Sequence, residues 1–134
     1  MHMMTVDKTF HTNQWPRAIS NPDEYDGGEV LSLSWDLGTV SESEKKKIIQ
    51  AWIAKLPTLK NLKRLNLWSQ VTQSIFDAVC ELPQLEVLQI KWSNVQDLSA
   101  ISKLQNLWGL SMGSSTRVKS IEPLMLLQSL IIGD

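Results

Sequence analysis

Few residues in this 134-residue chain have the type and spacing that chemistry needs. His2 and His11 are the two histidines, and Cys80 is the one cysteine. A pair of histidines with a thiol far along the chain lacks metal-ligand spacing, so no metal is expected. The run Asn21-Pro22-Asp23-Glu24-Tyr25-Asp26-Gly27-Gly28 is acidic enough for calcium. It lacks the alternating aspartates and the distant glutamate of a calcium loop, and an acidic turn is the expectation. The run Gly113-Ser114-Ser115-Thr116-Arg117-Val118-Lys119-Ser120 could cradle an anion. Small polar residues are also what any reversal after a strand uses, so it too is expected to be a turn. No Ser–His–Asp set, glycine-rich nucleotide loop or carboxylate pair stands out, and neither a catalytic residue nor a cofactor is expected. That leaves six tryptophans, an unusual number for this length, and tryptophan is enriched in binding hot spots. What they do depends on the faces that present them.

Those faces follow from a repeated phrase, L-x-x-L-x-L. It occurs at Leu62-Leu65-Leu67, Leu85-Leu88-Ile90, Leu107-Leu110-Met112 and Leu127-Leu130-Ile132. A degenerate earlier copy has Leu31 and Leu33, with Gly28 where its first leucine should stand. The middle leucines are 34, 23, 22 and 20 residues apart. A period of about 20–29 residues with this phrase is the mark of the leucine-rich repeat. In L-x-L both leucines point to one side of a short strand, because side chains alternate. Stacked copies become parallel neighbours, which demands crossover connections. Each unit alone leaves its leucines half exposed, so stacking is what stabilises it.

The crossovers are legible too. Ser41 with Glu44 is a capping-box signature. Behind it Ile48, Trp52 and Leu56 form a helical stripe widened by Ile49 and Ile53, and Pro57 stops it. The second crossover places Ile75, Phe76, Val79, Cys80 and Leu82 on one face between a Thr72 cap and Pro83. That makes Cys80 an inert core thiol rather than a nucleophile. The third and fourth crossovers hold only a turn or two. The expected fold is α/β: a short right-handed leucine-rich-repeat solenoid, with a parallel sheet on the concave side and helices tapering to short 3-10 or turn segments on the convex side. Strands are expected near 30–34, 64–68, 87–91, 109–113 and 129–132. All 134 residues form one domain, with 1–29 as an extended or looped N-terminal capping segment and 30–134 as about five strand–crossover units, the last incomplete.

Residues 95–107 (VQDLSAISKLQNL) and 118–130 (VKSIEPLMLLQSL) resemble the repeats of about 22 residues found in internalins and in the phosphatase-regulator class. There a D-(I/L)-S-P-L-like segment precedes the next L-x-x-L-x-L. The resemblance covers roughly residues 58–134 and implies the fold more than the function. The family's asparagine after the strand would fall at Gln70, Ser93 and Ser115, with Asn94 one place late. A regular asparagine ladder is not expected, and some turns should be looser or wider.

Alternation then sorts the tryptophans. Trp52 belongs to the helical stripe. Trp35 and Trp92 occupy one repeat position and are both expected to pack at the turn. Trp68 directly follows Leu67 and falls on the open face with Arg64 and Asn66, beside Gln89 and Lys91 on the next strand, and Trp108 flanks them. The expected function is a non-enzymatic module that holds an unidentified protein partner on Arg64, Asn66, Trp68, Gln89 and Lys91. The competing view of Trp68 is that the N-terminal segment folds over it. The competing view of the chain is a structural or capping part of a longer leucine-rich-repeat protein with no ligand site of its own. An enzyme or small-ligand binder at residues 113–120 comes third.

Composition bounds the rest. With 43% hydrophobic residues, 20% charged residues and a net charge of −1, a folded domain is expected. Charge is segregated: residues 45–64 carry seven bases and no acid, while eight acids precede them. A solvated helix face beside an acidic segment accounts for this, and a nucleic-acid partner is not expected without an overall basic excess. No apolar run reaches the roughly 20 residues of a membrane span, and no secretory leader is visible, so a cytoplasmic protein is expected. The last strand phrase lies at the end of the sequence with no polar cap after it. Self-association through Leu130, Ile131 and Ile132 into a two-fold homodimer is the expectation.

Overall fold

The computed structural model describes residues 15–35, 38–127 and 131–133, the last three by their backbone alone. Five strands form one open sheet in sequence order: β1 (Val30–Ser34), β2 (Arg64–Val71), β3 (Val87–Ser93), β4 (Gly109–Gly113) and β5 (Ile131–Gly133). Every neighbouring pair is parallel. The register aligns Leu31, Leu65, Leu88 and Leu110 in one row and Leu33, Leu67, Ile90 and Met112 in the next. The leucines and Ile90 are buried and share one core with the crossover residues. The period-two leucines thus build the inner face, and the intervening residues form the other.

Three expectations need correction. β2 and β3 run on to Val71 and Ser93, past the expected ends at 68 and 91. The last phrase is offset: Ile132, not Leu130, pairs with Leu110, so the strand spacing there is 22 residues rather than 20. A slip of two residues keeps every side chain on its own face, so apolar alternation could not tell the two registers apart. Leu130 lies outside the described residues. Trp92, expected to pack at the turn, is instead exposed.

Between β1 and β2, α1 (Glu42–Lys55) starts where Ser41 Oγ accepts from the Glu44 amide at 3.2 Å. Its stripe buries Trp52, with Ile48, Ile49 and Ile53 half-buried against the core. Pro57 ends it in a 3-10 turn, Leu56–Thr58. Between β2 and β3, α2 (Gln73–Val79) is capped by Thr72 Oγ1, which accepts from the Ile75 amide. The last two crossovers are 3-10 turns, Ser99–Lys103 and Glu122–Leu126. Asp97 holds the first by accepting from the Ser99 amide and hydroxyl, bonds that keep its carboxyl below the usual carboxylate range. Ser120 does the same for the second through the Glu122 amide.

Residues 15–29 are tied to the β1 end. Ile19 forms a parallel bridge to Leu33, donating to Ser32 O and accepting from the Ser34 amide. The Trp52 indole donates to Ser20 O at 2.7 Å, and Lys55 Nζ donates to Pro22 O and lies 5.9 Å from the Tyr25 ring centre. The acidic run is a turn. Asn21 accepts from the Asp23 amide, Asp26 accepts from the Gly28 amide, and Gly27 takes φ +83°.

In place of an asparagine ladder, side chains join successive units at both ends of the strands. At the entry to β2, β3 and β4, Asn61, Gln84 and Asn106 donate to Gly27 O, Leu59 O and Pro83 O of the preceding turn. After the strands, Ser93 and Ser115 share a 2.6 Å hydroxyl bond, and Gln73 Oε1 accepts from the amides of Gln96 and Asp97. These pairings satisfy turn backbone that would otherwise be solvated.

Candidate functional site

The open face divides into three zones, and the five residues expected to bind a partner are spread over all of them. At the entry end, Arg64 lies 5.6 Å from the Trp108 ring centre, while Trp108 Nε1 reaches Glu86, which also faces Lys63 at 3.8 Å. In the middle, Asn66 pairs with Gln89 in register and donates to Ser32 Oγ. Gln89 Oε1 accepts from the indole of Trp15 at 3.0 Å. Ser32 and Ser111, in the same outward row as Asn66 and Gln89, are buried, so this zone is covered, with Trp15 reaching it. At the exit end, Trp68 pairs with Lys91 and remains 43% exposed.

Trp92 joins Trp68 there, against expectation. Trp35 is 1% exposed, as a turn-packed indole should be, but Trp92 is 49% exposed. The cause is backbone. Trp92 adopts φ +60°, a left-handed conformation that interrupts strand alternation, and the buried position passes to Ser93. Ser69 and Gln70 are left-handed as well, and the β2–β3 register shifts between Trp68 and Val71. This bulge and its neighbour bring the two indoles to 5.8 Å between centroids, tilted by 41°. Lys91 Nζ lies 5.4 Å from the Trp92 ring centre. Such conformations cost about 1–2 kcal/mol per non-glycine residue and persist only when their surroundings fix them. No residue-type pattern signals a left-handed tryptophan, and this is why sequence reasoning missed it.

No family model matches this chain, and no curated protein matches it either.

Little else among the described residues suits covalent or metal chemistry. No three His, Cys, Asp or Glu side chains cluster there as metal ligands would, and His2 and His11 lie outside the described residues. No described helix is long and apolar enough to cross a membrane. The seven bases of residues 45–64 do not form one patch. Lys47 faces Glu44, Lys55 turns to the N-terminal segment, Lys63 faces Glu86 and Arg64 faces Trp108. Cys80 is buried, and loss of hydration pushes its thiol up to about 12, with Asp77 adding to the rise.

That thiol gives a pH prediction. The unfolded chain ionises it near 9.0, while the folded protein holds the proton to about 12. Stability from this group is therefore full below pH 9 and falls as pH rises through the interval between the two values. Between pH 8 and pH 10, wild type should lose about 1 kcal/mol more than Cys80→Ala, measured by urea unfolding. Equal slopes in the two proteins would show that the thiol is hydrated.

Proposed function

We propose that this chain is a short leucine-rich-repeat solenoid that acts as a non-enzymatic protein-interaction module. Its contact surface is the exit end of the strand face, with Trp68 and Lys91 at its centre and Trp92 beside them. The observation that carries this reading is the exposed, mutually packed Trp68–Trp92 pair with a lysine over it, held on adjacent hydrogen-bonded strands. Large aromatics fixed in advance lose little entropy on binding, and this is the character of hot-spot residues. Arg64, Asn66 and Gln89 contribute less in this reading, because each already has a partner within the chain. The repeated register, the tapering crossovers and the amide ties at equivalent positions support the leucine-rich-repeat assignment.

Affinity capture from a lysate, followed by titration of the recovered protein, tests the reading. Trp68→Ala with Lys91→Ala should weaken a stoichiometric partner by about 30-fold or more, and Arg64→Ala by less than about fivefold. Binding unchanged in the Trp68→Ala, Lys91→Ala protein would overturn it.

A second reading concerns self-association. Ile121, Met125 and Leu126 are 63%, 66% and 64% exposed on the last crossover, beside the edge strand β5. We propose that a second copy of the chain covers this end. Ile131 and Ile132 lie on that edge by their backbone.

A further inference from the structure

We propose that the turns after β2, β3 and β4 form a shallow binding site for a sugar that carries a carboxylate. These reversals meet around a hollow of about 460 Å³ whose walls include Ser69, Gln70, Trp92, Asn94, Thr116 and Arg117. The volume falls within the usual range of small-ligand pockets, about 300–1,000 Å³. The site goes beyond the protein-contact surface described above. It takes a small ligand and shares only Trp92 with that surface.

Three features select the ligand. The first is the aromatic wall. The left-handed backbone turns the Trp92 indole outward, and Trp68 braces it at 5.8 Å. An indole held this way suits the C–H face of a pyranose ring, which is apolar between its hydroxyls. The second is the polar lining. The side chains of Ser69, Asn94 and Thr116 lie around the hollow with no hydrogen bond to another described residue, while Gln70 accepts from Lys45 Nζ. Hydroxyls and amides can both donate and accept, as vicinal sugar hydroxyls do. An apolar ligand would leave all of them unpaired, at a cost for each. The third is charge. Arg117 lines the hollow, Lys45 reaches its rim through Gln70, and no aspartate or glutamate lines it. Neither cation makes an ion pair with a described residue. A guanidinium holds a carboxylate through two parallel N–H···O bonds, so one anionic group on an otherwise neutral polyhydroxyl ligand fits this charge pattern. A nucleotide also stacks on indole, and its phosphate would take the same guanidinium, so uridine monophosphate enters the test as the competing ligand.

The test is a titration of the methyl glycoside of glucuronic acid into isotope-labelled protein, following the Trp92 indole N–H and the Asn94 side-chain amide by NMR. Both signals should shift saturably with Kd about 1 mM, the strength expected for so small a ligand. The neutral methyl glucoside should bind about tenfold more weakly, and acetate should leave the indole signal unmoved. Arg117→Ala should abolish the preference for the uronate, and Trp92→Phe should weaken both sugars. Unchanged signals from the core amides will show that each variant is folded. A uronate-bearing tetrasaccharide that binds tenfold more tightly would place the site on a glycan chain, and equal affinity would assign it the free sugar. Three results would overturn the proposal. They are no Trp92 shift at about 50 mM uronate, the same shift with acetate alone, or tighter binding of uridine monophosphate than of the uronate. Arg117→Ala should abolish the uronate preference and leave the affinity for a protein partner unchanged, so the two readings can fail separately.

Discussion

Replacing Leu88 by alanine should remove about 2–5 kcal/mol of folding free energy, the range for a buried leucine whose neighbours cannot close the gap. Leu88 is fully buried. It stands in the middle of the sheet, with Leu65 on one neighbouring strand and Leu110 on the other. Hydrogen bonding fixes both strands, so the backbone cannot collapse into the space left by the lost atoms, and this favours the upper half of the range. An edge position such as Leu31, with a row partner on one side only, should cost less. Urea denaturation gives the measurement, with an unchanged dependence on denaturant as the sign that the unfolding reaction is the same. Lys91→Ala serves as the control, since an exposed strand lysine should change stability by less than about 0.5 kcal/mol. A loss below about 1 kcal/mol at Leu88 would mean that the leucine rows are not what holds the strands together.

The leucine rows were legible because burial demands period two, and period two survives in residue types. Strand order was legible for a similar reason, since successive copies of one phrase have no cheaper arrangement than stacking side by side. The helix starts at Ser41 and Thr72 were legible because an amide at a helix terminus needs an acceptor, and few residue types supply one. What escaped the sequence has its own physical reason in each case. The last strand's register escaped because a two-residue slip leaves the apolar pattern intact, and only the backbone spacing distinguishes the alternatives. The ties made by Gln73, Gln84 and Asn106 escaped because an amide reaching a carbonyl more than 20 residues away leaves no local signature. Trp92 escaped because its orientation is set by its own φ, and a tryptophan gives no warning of φ +60°.

The candidate site shows the same division. Trp68 and Lys91 were placed by alternation, and the exit end of the strands holds them where alternation put them. Gln89 was placed on the correct face, but Trp15 occupies it, and no pattern in the N-terminal segment announces that contact. The proposed contact surface is thus the part where a regular strand rule and an irregular backbone meet.

Self-association through the far end of the sheet is the second large effect expected. In the repeat solenoid proposed above, each crossover is covered by the next, and the outermost described one exposes its far side. On the Glu122–Leu126 turn the buried anchor is Leu124, while Met125 and Leu126, with Ile121 just before them, face solvent. Among the described strands β5 is the outermost on this side of the sheet, and in the self-association reading its outer backbone groups take the second copy. A two-fold contact would cover six large side chains, each already about one third buried. Each should contribute about 1–2 kcal/mol, so the sum is near 10 kcal/mol. Association costs about 4–15 kcal/mol, so only the low end of that range leaves a surplus, and backbone pairing adds a little. The balance fits a dimer that forms in the range of about 10–100 µM and not a tight one. Sedimentation should show dimer at about 200 µM and monomer at about 1 µM. Met125→Asp with Leu126→Lys should leave monomer at both concentrations, with thermal stability little changed because neither side chain is in the core. Four charged side chains would then have to be desolvated in place of four apolar ones, so the weakening should exceed about 30-fold. A wild-type monomer at about 200 µM would end the self-association reading. A dimer that survives both substitutions would move the contact to another surface, with the Trp68–Trp92 pair the next place to look.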